Sequence, residues 1–124
     1  MIADHIKKDI DQLAEIYSIR KIIDDNPIIV IIENFPLPIG FKISHTELLL
    51  QIPIAYPNSG LNMFWVDEEA VPKDKILPFK IHHDIMDNKN WFRYSWHPTN
   101  WTPGSDNLLS FIEFINRGLI QVLK

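Results

Sequence analysis

"TELLLQIPIAYPNSGLNMFWV", from Thr46 to Val66, contains two apolar runs on either side of the turn-rich segment "AYPNSG". The runs "TELLLQIPI" and "LNMFWV" each predict a β-strand, and the proline, asparagine, serine and glycine between them predict a tight connection. A connection this short favours antiparallel neighbours, because parallel strands need a long crossover. The stretch therefore predicts part of an antiparallel meander.

The residues before this stretch predict a further strand and an N-terminal helix. "NPIIVIIENF" is β-branched and continuously apolar, which indicates a central strand entered through the turn Asn26-Pro27. Further upstream, apolar residues recur at helical spacing from Asp4 to about Tyr17. This spacing predicts an amphipathic helix with Asp4 as its N-cap. "SIRKIIDD", which lies between the two elements, fits either a short strand or the end of the helix.

The residues after the meander predict an irregular segment and a second helix. Prolines and scattered charges between Asp67 and Asn90 predict a long, partly irregular excursion, and such segments are often functional. "WFRYSW" predicts a short extended piece, and an amphipathic helix is expected from Asp106 onward. The order helix, antiparallel strands, irregular segment, helix predicts a single α+β domain over residues 1–124.

Composition limits the classes of function. The chain has 124 residues, of which 46% are apolar and 23% charged, and this composition supplies one core and argues against disorder. A net charge of -4 and a pI near 5.6 argue against a nucleic-acid partner. The longest apolar stretch, "IIVII", is too short to span a membrane, and no signal-peptide pattern opens the chain. We therefore expect a cytoplasmic protein with no membrane partner.

Cysteine is absent from the chain. Its absence excludes disulfides, thiolate metal sites and every mechanism that uses a cysteine nucleophile.

Several segments of the chain resemble the ubiquitin-conjugating (UBC) fold. In that family an N-terminal helix precedes a four-stranded antiparallel meander, and an irregular active-site segment leads into a further helix. Its "YP" turn has a counterpart in Tyr56-Pro57, and its "WxP" element has one in Trp101-Thr102-Pro103. "NFPLPIGF", "IPIAYPNSGLNMFWV" and "WFRYSWHPTNW" are similar to stretches of the bacterial branch called prokaryotic ubiquitin-conjugating family E. The resemblance implies a UBC-like α+β fold over most of the chain.

The resemblance also implies a role for Ser95. The family's catalytic cysteine lies a short distance before its "WxP" tryptophan, and Ser95 lies at a similar distance before Trp101. Ser95 is therefore expected to accept the C-terminus of a ubiquitin-like protein from a ubiquitin-activating-like enzyme as an oxyester, and to pass it to a target. The family's "HPN" tripeptide has its nearest match at His83 and Asp84, without a clean counterpart of its asparagine.

A serine nucleophile needs a neighbouring base that takes its proton during attack. His97 is the local candidate, because residues two apart on extended backbone share a face and an imidazole with a pKa of about 6.5 suits the role. His83 and Asp84 are predicted in support, with Asp84 orienting a histidine.

Other hypotheses remain open beside the oxyester enzyme. The main one is a catalytically inactive UBC-like adaptor that binds a ubiquitin-like protein or an activating enzyme. We expect no cofactor and no metal, since adjacent histidines such as His82 and His83 point to opposite faces of an extended segment. Trp101 is expected to pack against the C-terminal helix, as its family counterpart does. Operon relatives associate the branch with antiphage defence.

Overall fold

Two helices and an antiparallel sheet make up the computed structural model, which describes residues 2–74, 82–96, 98 and 100–124. Helix α1 spans Asp4–Ala14 and helix α2 spans Leu108–Val122. The strands are β1 (Ser18–Ile23), β2 (Ile28–Pro36), β3 (His45–Ile52), β4 (Phe64–Val66), β5 (His82–Met86) and β6 (Lys89–Tyr94). The structure is α+β, with a helix before the sheet and a helix after it, as the sequence predicts. Within the described residues, α1 and α2 both lack the combination of length and apolar character that a membrane crossing requires.

The sheet formed by the described residues has the order β1-β2-β3-β4-β6-β5, and every neighbouring pair is antiparallel. The first four strands are neighbours in chain order, which confirms the predicted meander. "SIRKIIDD" contributes β1 and does not prolong the helix. The connections favour this arrangement, because consecutive strands are usually neighbours and a parallel neighbour would need a longer crossover.

The sheet continues beyond the four predicted strands through a hairpin. β6 lies beside β4, and β5 pairs with β6 on the far side. The prediction of irregular backbone as far as Asn90 is therefore wrong for β5 and the start of β6. Asp87 and Asn88 form the two-residue loop, with φ angles of 51° and 58°. Asp and Asn tolerate this left-handed conformation, which matches the twist of the strands that the loop joins.

The starts of both helices differ from those predicted. Ala3 is the N-cap of α1, and Asp4 lies in the first turn, where its negative charge faces the positive end of the helix dipole. α2 begins two residues after Asp106, behind the N-cap Asn107. The Asn107 side chain accepts from the Ser110 amide at 2.9 Å, and the Ser110 hydroxyl accepts from the Asn107 amide at 2.9 Å. This reciprocal capping box sets the first residue of α2.

The centre of the sheet is buried on both faces. On one face, alternate residues of β2, β3, β4 and β6 pack with the apolar sides of α1 and α2 in the main core. On the other face, Ile31, Leu49, Trp65 and Trp91 form a second cluster, which we call the outer cluster. Burial on both faces explains why β2 is continuously apolar and does not alternate.

An ion-pair network joins β1, β3 and β6 around Glu47. The carboxylate of Glu47 pairs with Arg20 and with Lys89, whose Nζ lies 2.7 Å from Oε1, and Lys89 also pairs with Asp67. Burial opposes ionisation of Glu47, but the hydrogen bonds from Lys89 and Arg20 outweigh it and hold its pKa below the ordinary value of 4.5. Glu47 is therefore ionised wherever the network is intact.

The network predicts a loss of stability in acid. Because the folded-state pKa of Glu47 is lowered, its contribution is complete above the ordinary pKa of 4.5 and disappears as pH falls through the folded-state value. Urea unfolding between about pH 6 and about pH 3 is expected to show a steeper fall for the unchanged protein than for Glu47→Gln. Glu113→Gln, at an exposed position of α2, is the control and should follow the unchanged protein. Parallel curves for the unchanged protein and Glu47→Gln would contradict the role given to Glu47.

The hairpin loop predicts opposite outcomes for two substitutions of Asn88. Asn88→Ala places a residue with no local hydrogen-bonding side chain in the left-handed region, and we expect the free energy of unfolding to fall by about 1 kcal/mol. Asn88→Gly removes the steric cost and should leave it within about 0.5 kcal/mol. Chemical denaturation measures both, with Asn62→Ala as the control at an exposed asparagine outside the left-handed region. Equal losses for Ala and Gly would show that backbone conformation is not the cause.

Candidate functional site

Ser95 follows directly on β6, and its side chain is exposed. Its neighbours Tyr94 and Trp96 both pack into the main core. Because side chains alternate along extended backbone, this packing directs the Ser95 side chain away from the core. The hydroxyl is therefore accessible from outside.

Tyr94 holds the end of β6 on one side of Ser95. Its ring is fully buried, stacks on Phe64 at 5.3 Å and packs against Phe92 at 4.8 Å between ring centroids. Its hydroxyl donates to the Ala70 carbonyl at 3.0 Å. Burial raises the pKa of Tyr94 above its ordinary value, so the phenol stays protonated and acts as a donor.

Trp96 holds the chain on the other side of Ser95. The centroid of its ring lies 4.7 Å from that of Tyr94 and 5.5 Å from that of Phe64, the second contact being edge-on. The ring also lies against Gly118 in α2. Ser95 is thus flanked by two aromatic residues that the core holds in place.

Trp101 makes its closest polar and ring contacts with the turn between β3 and β4. Its Nε1 donates to the Pro57 carbonyl at 2.7 Å, its ring lies 6.0 Å from that of Tyr56, and it covers Gly60. Trp101 also packs against the main core, to which α2 contributes Phe111, and it lines a cleft together with that residue. Trp96 is the tryptophan that meets the backbone of α2.

Tyr56 connects this turn to α1, a link that sequence reasoning missed. Its hydroxyl donates to Asp9 at 2.7 Å, and its carbonyl accepts from His5 Nε2 at 3.0 Å. Burial, followed by the hydrogen bond to Asp9, raises the pKa of Tyr56 above its ordinary value. Since Trp101 bonds to the next carbonyl, α1 and the chain after Ser95 are joined through one turn.

The histidines predicted as base and support lie outside the described side chains. His97 lies outside the described residues, so its predicted position beside Ser95 stays a prediction. His83 belongs to β5 and pairs with Phe92, but its side chain is also outside the description. In the described part of the chain, no group of three or more histidine, cysteine, aspartate or glutamate residues is placed to hold a metal ion.

Asp84 lies on β5 opposite Trp91, four positions before Ser95 along the neighbouring strand. At about 3.3 Å per residue this is a separation of about 13 Å, too far for contact. The carboxylate accepts from Trp65 Nε1 at 2.8 Å and pairs with Arg93 Nη1 at 3.4 Å. The structure therefore does not bring Asp84 beside Ser95, and its contacts favour a role in holding the face that carries the outer cluster.

A surface cleft of about 320 Å³ lies between α2 and the chain that precedes it. Pro98 and Trp101 line one side, and Phe114 and Arg117 of α2 line the other. Ser95 does not line it. The walls combine aromatic rings with charged groups, which differs from the mostly apolar wall of a small-molecule pocket.

One comparison with known proteins identifies a family. A family model described as prokaryotic E2 family E matches residues 6–122, which run from the first turns of α1 to the end of α2. Among curated proteins and among solved structures, nothing matches the chain.

Removal of Asp84 is expected to weaken the face that carries the outer cluster. Asp84→Ala leaves Trp65 Nε1 and Arg93 without this acceptor, and the free energy of unfolding should fall by about 1–2 kcal/mol. Asp84→Asn keeps an acceptor for the indole and should cost about half as much. Denaturant titration compares both with Asp11→Ala, at an exposed carboxylate of α1. If Asn and Ala prove equally destabilising, the hydrogen bond to Trp65 is not what Asp84 contributes.

Proposed function

The chain belongs to the prokaryotic E2 family E, and on this basis we propose that it is a conjugating enzyme that carries a ubiquitin-like protein on Ser95. The family indicates a role in ubiquitin-like conjugation. The proposal adds the acceptor residue, the type of bond and the two partners, which are a ubiquitin-activating-like enzyme and the ubiquitin-like protein.

The exposure of Ser95 between two held aromatic residues is the observation that supports this proposal most directly. An acyl acceptor must be accessible to a large partner while its backbone is kept in position. Ser95 combines an exposed side chain with Tyr94 and Trp96, which both pack into the core. Because the chain has no cysteine, a thioester on this protein is excluded and an oxyester is the corresponding intermediate.

The proposed reaction has two acyl transfers. In the first, the Ser95 hydroxyl attacks the carbonyl carbon at the C-terminus of the ubiquitin-like protein, and His97 takes the hydroxyl proton. The bond to the activating enzyme breaks, and the departing group receives that proton from His97. In the second, a nucleophile of the target attacks the ester and gives its proton to His97, and the Ser95 oxygen leaves and receives that proton.

The roles of the supporting groups follow from their places in the fold. The contacts of Asp84 with Trp65 and Arg93 favour a structural role, so the proposal assigns chemistry to Ser95 and His97. His83 stays in the proposal as a second imidazole on the strand paired with β6. An inactive adaptor with the same fold is the competing hypothesis, and the test below separates the two.

We expect a covalent adduct when the protein is incubated with its activating enzyme, ATP and the ubiquitin-like protein. The adduct should survive reducing agent, be cleaved by mild base and be absent from Ser95→Ala. Only an oxyester on Ser95 has all three properties. Denaturing electrophoresis with and without reducing agent measures it. In the same assay, His97→Gln should slow adduct formation by about 100-fold or more.

Ser105→Ala is the matched control for the adduct assay, since Ser105 is also an exposed serine between β6 and α2. It should form the adduct normally. Ser95→Cys should convert the adduct to one that reducing agent cleaves. An adduct that persists in Ser95→Ala would place the acceptor elsewhere. If neither the unchanged protein nor Ser95→Cys forms an adduct with an activating enzyme shown to be loaded, the result favours the inactive adaptor.

A further inference from the structure

Gly118 lies inside α2, four residues before its last residue Val122 and far from its N-cap. Glycine is among the least favourable residues in a helix interior, because it has the most backbone freedom to lose and exposes the backbone. A glycine at such a position needs a reason in the packing.

The packing reason is the ring of Trp96. A Cβ atom added at Gly118 would lie 2.5 Å from Cζ3 and 2.6 Å from Cε3 of that ring. Both distances are well inside van der Waals contact, and the ring atoms belong to a rigid indole. The indole therefore occupies the space that any side chain at position 118 would need.

The same indole is held from the other side by the sheet. Phe64 of β4 contacts it edge-on at 5.5 Å, and Tyr94 of β6 packs against it at 4.7 Å. An added methyl group at Gly118 leaves the ring no room to retreat toward the sheet, because Phe64 and Tyr94 are themselves fully buried. The ring must then shift along the helix or outward.

A shift of the ring loosens the anchor of the backbone at Ser95, which is joined to Trp96 by one peptide bond. We propose that Gly118 is a positioning residue for Ser95: the missing Cβ lets Trp96 seat on α2, and the seated indole fixes the backbone that presents the serine. The assignment of a catalytic purpose rests on the proposed function. The positioning itself can be measured without any partner.

The absence of cysteine makes this measurement simple. Ser95→Cys introduces a single thiol, to which a nitroxide spin label is attached for electron paramagnetic resonance. In this background Gly118→Ala is expected to shift the spectrum toward a more mobile label. Gln121→Ala, at an exposed position of the same helix, should leave the spectrum unchanged.

A second pair of variants separates positioning from general loosening of the helix. Trp96→Phe removes the outer ring atoms that meet Gly118, and should mobilise the label without adding any atom to α2. Adding Gly118→Ala to Trp96→Phe should then restore part of the order, since the methyl group fills the vacated space. Gly118→Ala is thus expected to increase the mobility of the label when residue 96 is tryptophan and to decrease it when residue 96 is phenylalanine.

Three outcomes would overturn the proposal. A label that does not respond to Gly118→Ala in a folded protein shows that Gly118 does not position Ser95. An alanine effect of the same sign in both backgrounds shows a general change in the helix. If Gly118→Ala does not fold, an immobile label in Trp96→Phe is contrary to the proposal.

The activity assay then tests the purpose of the positioning. Gly118→Ala should lower the maximal rate of adduct formation by up to about 100-fold, with KM for the loaded activating enzyme within about twofold. If the spin label responds as expected but the unchanged protein forms no adduct on Ser95, the proposed function is contradicted and the positioning role of Gly118 stands. If Gly118→Ala mobilises the label but leaves the rate of adduct formation unchanged, Gly118 does not contribute to the reaction.

Discussion

The contact of Trp96 with Gly118 joins the sheet to α2 at the place where the chain leaves β6. Phe64, Tyr94 and Trp96 form a continuous aromatic contact from β4 through β6 to the helix backbone. Trp101 makes a comparable contact farther along, where its ring covers Gly60. In both cases a glycine leaves space for an indole. The described chain between β6 and α2 is thus held by tryptophans as well as by its own turn, in which the Ser105 and Asp106 amides donate to the Thr102 carbonyl.

The two faces of the sheet pack against different groups of residues. One face carries the main core and, through Trp96, the backbone of Ser95. The other face carries the outer cluster, where Asp84 bonds to Trp65 and Arg93. The Ser95 side chain also points away from the main core, so it is the separation of about 13 Å along the strand that keeps Asp84 from the serine. Proposed chemistry at Ser95 then depends on the residues that directly follow it, above all His97.

Much of the fold was accessible from local patterns. Apolar, β-branched runs and short connections predicted β2 to β4 in their correct order, and helical spacing predicted both helices. "WFRYSW" was predicted as extended and supplies most of β6, but β5 and its hairpin with β6 were missed because the charges and prolines before it suggested irregular backbone. The dipeptide Asp87-Asn88, which tolerates positive φ, was the available signal for its turn. Both helix starts were misplaced by one or two residues because capping depends on side-chain geometry as well as on residue type.

The sequence by itself determined the absence of a thiol, the two helices, the meander and the likeness to the family that the comparison then identified. These properties depend on composition and on the spacing between residues that are near neighbours in the chain. Only the tertiary structure decided that Ser95 is exposed, that Asp84 bonds to Trp65 and Arg93, and that Gly118 receives Trp96. Those facts depend on which distant residues meet when the sheet closes against α2. A glycine inside a helix shows its purpose only when the atom that fills its space is known.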